Sequence, residues 1–280
     1  EDKLANWMRR QMPETLAYNI TRLRKVLFQQ FFFRVARTRP EKTKERLLGL
    51  IREQLGPDYD MQTHFTPRYN PWEQRLCLVP DNDMFLAIKA GKASVVTDTI
   101  DTFTEKGLKL ASGKELEADI IITATGLQLQ MFGGADLNVD GKTIETGKLY
   151  AYKGCMYSDV PNFASVFGYT NASWTLRADL ICQYVCRLVN YLHDYKLDQV
   201  TPRLAADHED KPFVDFSSGY FQRAKDILPK QTTTAPWKQN QSYAHDIMDL
   251  RFGAIEDGVL EFKRAPSHAA EPPARTAALA

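Results

Sequence analysis

The sequence predicts an α/β fold, and three observations lead to this prediction. Residues 118–124 form a near-continuous apolar run that ends at Gly126, as expected for a strand buried on both faces of a sheet. A second short apolar run, residues 164–167, ends at Gly168 and leads into a polar loop. Residues 174–195 then carry apolar side chains at steps of three or four, which is the spacing of a helix with one buried face.

The order of strand, glycine, polar loop and helix start is typical of a ligand site at the carboxyl end of a strand. We therefore expect a site near Gly126 and Asn171. Two simpler interpretations remain open at this stage. Gly126 can be an ordinary turn glycine, and Asn171 or Ser173 can cap the helix that follows.

Residues 3–55 predict helices. Leu16, Ile20, Leu23, Leu27 and Phe31 recur at helical spacing, Pro40 interrupts the pattern, and Gly56 ends it. The stretch from Lys3 to Arg52 holds thirteen Lys and Arg residues and three Glu residues. A basic amphipathic helix of this kind can lie on an anionic membrane surface, or it can be a packed helix whose basic residues are solvated.

The segments between these elements are predicted with less regular structure. Residues 57–80 form an aromatic, proline-rich loop, which either lines a substrate pocket or packs as an ordinary loop. Residues 99–110 predict two strands joined by a turn at 105–107, with a second turn at Ser112-Gly113. Residues 265–280, rich in Ala and Pro, are predicted to be disordered.

The composition sets wide limits on function. The chain has 280 residues, 44% of them hydrophobic and 25% charged, with a net charge of +1, so nothing in it indicates a nucleic-acid partner. No apolar run is long enough to span a membrane. The first residues, Glu1-Asp2-Lys3, include no Met and no targeting segment, and we interpret the chain as an internal cut of a longer protein.

Cysteine and histidine usage gives no indication of a metal site. The four cysteines, at positions 77, 155, 182 and 186, favour buried free thiols in a reducing cytoplasm. The five histidines are scattered, without the spacing of metal ligands. No metal is therefore expected.

Several catalytic motifs are missing from the sequence. Neither Gly-x-Gly-x-x-Gly nor the Gly-x-x-x-x-Gly-Lys-Ser/Thr loop occurs, so no phosphate-binding glycine loop is present. A Gly-x-Ser-x-Gly elbow is also missing, which argues against a hydrolase of that type. The residue patterns alone thus predict an α/β fold with a ligand site and leave the function open.

Three segments add a family resemblance. The run from Ala118 to Gly126, ending Ala-Thr-Gly, resembles the strand that returns from the NADPH domain to the FAD domain in flavin-containing and Baeyer–Villiger monooxygenases. The segment from Tyr69 to Pro80 resembles the part of that family that carries the active-site arginine, which corresponds to Arg75. This chain has Gln74 where family members often have Lys, so the local charge differs.

The third segment, Gly168 to Thr175, closely resembles the subgroup that includes the mycobacterial ethionamide-activating monooxygenase. The likeness extends from about residue 15 to about residue 263. It implies cofactor-binding roles for residues of both glycine-ended segments: Thr125, Gly126, Asn171, Ser173, Trp174 and Thr175. In related folds the start of the helix near Trp174 faces the pyrimidine edge of the flavin, where its N–H groups and dipole favour negative charge.

The resemblance implies the cofactors FAD and NADPH and an oxygen-inserting reaction. In this family NADPH reduces FAD, O₂ then forms a C4a-peroxyflavin, and this species oxygenates a ketone or oxidises a sulfur or nitrogen centre, as in a sulfide or thiocarbonyl. Arg75, a permanent cation, would stabilise the anionic oxygen species. The alternative for Arg75 is a structural salt bridge.

The resemblance also implies an incomplete fold with two dinucleotide-binding domains and a helical insertion. Residues 1–112 would complete the NADPH domain with its insertion, residues 113–195 the FAD domain, and residues 196–264 a C-terminal extension. Because both glycine loops are missing, we expect this C-terminal segment alone to be inactive and its unpaired strand to leave apolar edges exposed. A non-enzymatic module that contacts a membrane peripherally through residues 3–52 is the alternative. A flavin disulfide reductase is disfavoured because no Cys-x-x-x-x-Cys pair occurs.

Overall fold

A computed structural model describes residues 2–77 and 79–265 of the chain. The predicted disordered tail, from residue 266 onward, lies outside the described residues. The chain divides into two compact units: the first comprises residues up to Phe31 and from Gln128 onward, and the second is Phe32–Leu127. The domain boundaries implied by the family resemblance remain predictions.

Eight α-helices are described: α1 Lys3–Gln11, α2 Glu14–Thr38, α3 Pro40–Leu55, α4 Met61–His64, α5 Asp83–Lys89, α6 Trp174–Asp194, α7 Gly219–Arg223 and α8 Tyr243–Asp246. Short 3₁₀ turns cover Pro80–Asn82, Met131–Gly134 and Thr146–Lys148, and a π-helical turn covers Ile247–Phe252. The predicted helices in residues 3–55 are confirmed. Gly56, with φ of 95°, follows the last residue of α3, as a left-handed glycine commonly does.

The described strands are short: β1 Ile100–Phe103, β2 Gly107–Leu110, β3 Glu115–Glu117, β4 Asn138–Val139, β5 Lys142–Thr143, β6 Ala151–Tyr152, β7 Met156–Tyr157, β8 Gln199–Pro202, β9 Asp210–Pro212, β10 Lys230–Thr232 and β11 Leu260–Lys263. Every described strand pair is antiparallel. The chain is mixed α and β, as predicted, whereas the incomplete two-dinucleotide-binding fold with a helical insertion remains a prediction. The hairpin predicted over residues 99–110 is also confirmed, since β1 pairs with β2 through the turn at 104–107.

The second unit holds α3, α4, α5 and the sheet β1-β2-β3. Gly107 opens β2 with no room for a side chain, because a Cβ there would lie 1.9 Å from the Leu116 carbonyl oxygen. The aromatic loop packs on neighbours of its own unit: Phe65 lies 6.0 Å from Phe85 and Trp72 lies 5.8 Å from Phe33, ring centre to ring centre. Ordinary loop packing thus accounts for these aromatic side chains.

The first unit contains the main hydrophobic core, organised around α6. The helix buries Leu180, Ile181, Tyr184 and Leu188 against the strand pair β8-β11 and the turn that carries Tyr152 and Cys155. A second cluster of aromatic side chains surrounds Phe213 and Tyr157. The inner face predicted for residues 174–195 is therefore confirmed.

The strand predicted over residues 118–124 is wrong. These residues lie outside any strand, and Ile120 and Ile122 are 80% and 86% exposed. A strand requires a hydrogen-bonding neighbour, and none of the described strands pairs with this run. The predicted exposure of its apolar residues is confirmed. The strand over residues 164–167 is likewise reduced to one bridge, between Ala164 and Met156.

The apolar stripe predicted on α2 exists, but it faces outward. Its members are between 39% and 67% exposed: Leu16, Ile20, Leu23, Leu27 and Phe31. The cysteine prediction is correct in that all four thiols are free, and wrong in that only Cys155 is buried.

Among the described residues, no helix combines the length and apolarity needed to cross a membrane.

Candidate functional site

The loop that precedes α6 is built around a close contact between Gly168 and Trp174. A Cβ on Gly168 would lie 2.3 Å from Trp174 Cδ2 and 2.8 Å from Trp174 Cα. Trp174 itself packs against Phe167 in a tilted arrangement, with ring centres 5.0 Å apart. Only glycine at position 168 lets the chain pass this close to the first turn of the helix.

The N-terminus of α6 has no side-chain cap. Ser173 occupies the cap position, but its hydroxyl lies 2.9 Å from the Thr175 hydroxyl rather than on a backbone N–H. The Asn171 amide nitrogen donates to the Gln241 carbonyl oxygen at 2.9 Å, so Asn171 does not cap the helix either. The capping alternative is therefore wrong for both residues. The Leu176 N–H donates to the Ser173 carbonyl oxygen, and the N–H groups of Trp174 and Thr175 remain available to an acceptor.

Asn171 holds a buried acceptor in the loop that leads into α6. Its side chain belongs to a residue only 3% exposed, and its Oδ1 has no hydrogen-bond partner among the described residues. Buried polar atoms are nearly always paired in folded proteins, so an unpaired one calls for an explanation. An N–H donor of a bound ligand is one group that would satisfy it.

A cleft of about 380 Å³ opens beside the first turn of α6. Residues of α2, residues of α6 and the cap residue Ser173 line it: Tyr18, Arg22, Lys25, Val26, Gln29, Ser173, Thr175, Leu176 and Asp179. Arg22 reaches across to Asp179 at 3.2 Å and to the Tyr243 hydroxyl at 3.4 Å. Burial opposes the charge of Arg22, yet hydrogen bonding to Asp179 leaves the pKa of this guanidinium above its ordinary value.

A buried ion pair that the sequence analysis missed lies behind this loop. Arg177, 1% exposed, has its Nε 3.4 Å from Asp246 Oδ2, and its Nη1 donates to Gln239 Oε1 at 2.8 Å. Tyr169 donates to the same Asp246 oxygen at 2.6 Å. The signal was present in the sequence, because Arg177 lies three and four residues before Leu180 and Ile181 on the apolar face of α6.

A second buried cation adjoins the first. The Lys153 side chain is 3% exposed, and its ammonium group lies 3.0 Å from Asp249 Oδ1 and 3.9 Å from Asp257 Oδ2. The next residue, Gly154, leaves room for Arg177, since a Cβ there would lie 2.3 Å from Arg177 Nη2. Arg177 thus ties α6, and Lys153 ties the turn between β6 and β7, to the segment after β10.

Arg75, Thr125 and Gly126 belong to the second unit. Arg75 is exposed and makes no hydrogen bond or ion pair with any described residue, so the structural salt bridge finds no support in this part of the chain. It follows a tight turn in which the Asn70 N–H donates to Glu73 Oε2 at 2.9 Å. Trp72 in this turn has φ of 68°, a strained conformation for an aromatic residue.

Thr125 and Gly126 are both exposed and lie outside regular structure. Gly126 has φ of 110°, which other residues rarely adopt, so the position requires glycine. Within the described residues, no group of three or more His, Cys, Asp or Glu side chains is arranged to hold a metal ion.

Comparison with known proteins places these residues in context. The chain is 49% identical over 267 residues to "FAD-containing monooxygenase EthA" of Mycobacterium tuberculosis, covering 95% of this chain and 55% of that protein. It is 44% identical over 259 residues to "Probable FAD-binding monooxygenase AlmA" of Acinetobacter baylyi, covering 92% and 52%. It is 42% identical over 272 residues to "Putative FAD-containing monooxygenase MymA" of M. tuberculosis, covering 96% and 55%.

The chain thus spans about half the length of the curated relatives it matches. No family model matches the chain. No solved structure matches it either.

Proposed function

Because the chain is homologous to one region of the FAD-containing monooxygenases, we propose that it forms the C-terminal part of an NADPH-dependent enzyme of this kind. The enzyme inserts one oxygen atom from O₂ into a ketone, or oxidises a sulfur or nitrogen centre. The observation that carries the proposal is the uncapped N-terminus of α6 beside the unpaired Asn171 Oδ1.

The residues around α6 fit the pyrimidine edge of FAD. That edge offers two carbonyl oxygens and one N–H group between them. Free N–H groups of Trp174 and Thr175 are donors for a carbonyl oxygen, and Asn171 Oδ1 is an acceptor for an N–H group. The positive end of the α6 dipole also favours the negative charge that this edge carries when the flavin is reduced.

When bound, reduced FAD supplies the activation of O₂, and the residues of this chain hold and stabilise the reacting groups. Arg75 is the candidate catalytic residue. Its exposed guanidinium has no described partner to compete for it. A fixed cation would stabilise negative charge that develops on oxygen as the new carbon–oxygen bond forms. Thr125 and Gly126 let the backbone pass close to a cofactor, since no side chain protrudes at Gly126.

The test uses the full-length enzyme that contains this chain, supplied with NADPH, O₂ and a small ketone or thiocarbonyl compound. We expect an oxygenated product from the wild type. Arg75→Ala should lower its formation by about 10²–10³-fold, as for loss of one oxyanion-stabilising donor, while FAD stays bound. Arg68→Ala is the matched control, because Arg68 is another exposed arginine of the same loop.

Two results would count against this proposal. NADPH consumption that yields only peroxide, unchanged in Arg75→Ala, would contradict the oxygen-insertion reaction. Equal product loss in Arg75→Ala and Arg68→Ala would contradict a specific role for Arg75.

A second proposal concerns the exposed stripe on α2. Together with Trp7 of α1, which is 55% exposed, it would give residues 3–52 a basic and apolar surface for an anionic membrane. Sedimentation with phosphatidylserine vesicles tests it: Leu23→Ser/Leu27→Ser should reduce the bound fraction several-fold. A fraction bound that does not change between wild type and variant would exclude this contact.

A further inference from the structure

Two residues, Gln241 just before α8 and Asp246 at its end, hold the loop that precedes α6. Gln241 Oε1 accepts hydrogen bonds from the Thr170 N–H at 3.1 Å and from the Thr170 hydroxyl at 3.3 Å. The Gln241 carbonyl oxygen accepts from Asn171 Nδ2 at 2.9 Å. Asp246 Oδ2 accepts from the Tyr169 hydroxyl at 2.6 Å. Three consecutive loop residues are thus fixed by two residues that follow some seventy positions later.

The two holding residues are themselves fixed. Gln241 has φ of 49°, a conformation that costs free energy for a non-glycine residue and sets the direction of its carbonyl group. Asp246 is buried and paired with Arg177 of α6, whose guanidinium also binds Gln239. Through Tyr169, Asp246 and Arg177, the loop is therefore tied to the same helix that it leads into.

The orientation of Asn171 depends on these contacts. Its side-chain amide can present Oδ1 as an acceptor only while Nδ2 stays bound to the Gln241 carbonyl oxygen. Without that bond the amide can rotate or turn outward to pair both of its polar atoms with water. The neighbouring residue, Thr170, is held separately by the Gln241 side chain through two hydrogen bonds to Oε1, so loss of this side chain would release the loop next to Asn171.

We propose that Gln241 and Asp246 are positioning residues that hold the loop Tyr169–Asn171 in place. In this position Asn171 Oδ1 and the N–H groups at the start of α6 bind the flat edge of a ligand on which hydrogen-bond acceptors and donors alternate. This inference rests on the proposed function, in which that edge is the pyrimidine ring of FAD. Neither residue touches the ligand in this arrangement. Their effect passes through Asn171 and the start of the helix.

The experiment compares Gln241→Leu with Gln241→Glu in the full-length enzyme. Leucine removes the acceptor for Thr170, whereas glutamate keeps an acceptor at the same distance. We expect Gln241→Leu to speed amide hydrogen exchange in peptides covering residues 168–173. It should also raise the Kd for FAD about tenfold, the equivalent of one hydrogen bond, and shift the flavin absorption spectrum. Gln241→Glu should keep the exchange rates and the Kd within about twofold of the wild-type values, with the wild-type spectrum.

Gln222→Leu is the matched control. The Gln222 side chain also makes a hydrogen bond with the backbone, but it donates from Nε2 to the Phe216 carbonyl oxygen at 2.9 Å, away from the loop. Its loss should leave hydrogen exchange at residues 168–173 and the Kd for FAD unchanged. If both Gln241→Leu and Gln222→Leu lower the melting temperature, that shared fall reflects a loss of stability and not a change at the loop.

Two outcomes overturn the inference. Exchange at residues 168–173 that is equal in wild type and Gln241→Leu shows that Gln241 does not hold the loop. Faster exchange with an unchanged Kd and spectrum shows a role in stability only. A wild-type enzyme that binds no FAD would contradict the proposed function instead, and the exchange rates alone then decide whether Gln241 holds the loop.

Discussion

Gly168 illustrates how a single residue determines where α6 begins. Sequence patterns identify it as a glycine that ends an apolar run, but the reason for glycine is spatial. The first turn of α6 folds back so that the Trp174 ring and Cα occupy the volume of any side chain at position 168. The pattern of residue types does not predict this contact, because the contact depends on the direction in which the chain leaves the loop.

Gly168→Ala should therefore destabilise the protein by about 1–3 kcal/mol, since the new methyl group must displace the backbone of Trp174 as well as its ring. Gly49→Ala in α3 is the matched control with the opposite expected sign. Nothing lies within 4 Å of its added Cβ, and alanine is the better helix former by about 0.5–1 kcal/mol. Urea unfolding measures both, and a neutral Gly168→Ala would contradict the close contact.

Asp246 gives a pH-dependent prediction. Burial raises the pKa of its carboxyl group above the ordinary value of 3.8, although the Arg177 guanidinium and the Tyr169 hydroxyl act in the opposite direction. In the pH range just above 3.8 the folded state therefore binds more protons at this group than the unfolded state does. The contribution of Asp246 to stability thus falls as the pH rises through that range.

Asp246→Asn removes this titration. The free energy of unfolding of the wild type, relative to the variant, should decrease as the pH rises above about 4 and should level off once the folded carboxyl group is ionised. Urea unfolding at a series of pH values measures the difference. A difference that increases with pH would show that the Arg177 pairing outweighs burial.

Helices α2 and α6 both have apolar residues at helical spacing, but their apolar faces lie in opposite environments. Residue spacing predicts an apolar face on each, and both faces exist. The face of α6 is buried in the core, whereas that of α2 is exposed. Periodicity identifies which side of a helix is apolar but says nothing about what covers that side. Arg177 shows a second limit of periodicity: its position on the apolar face of α6 makes a charged side chain buried.

Truncations on the two faces should differ sharply. Leu180→Ala should cost about 2–5 kcal/mol of stability, because Leu180 is fully buried in the main core. Leu23→Ala, at a side chain 60% exposed, should change stability by no more than about 0.5 kcal/mol in this chain. Thermal or urea unfolding tests the pair. Equal costs would mean that α2 packs its apolar face in solution.

At the scale of the whole molecule, local sequence signals predicted the helices and the hairpin β1-β2, whose hydrogen bonds close within a few residues. They failed for residues 118–124, because a strand exists only with a neighbour to pair with. The exposed side chains of Ile120 and Ile122 show what the missing pairing leaves behind. The candidate site residues around α6 were predicted by likeness to a family, whereas the contacts that Gln241 and Asp246 make with the loop before α6 became visible only in three dimensions.

FAD binding tests the central claim most directly. The claim is that this chain supplies the residues for the pyrimidine edge of the flavin but no loop for its phosphate groups. Equilibrium titration with FAD should be run on the isolated chain and on the same chain joined to a segment that carries both glycine loops. We predict no measurable binding by the isolated chain and equimolar binding by the joined protein, weakened by Gln241→Leu. Tight equimolar binding by the isolated chain, or none by the joined protein, would contradict the account.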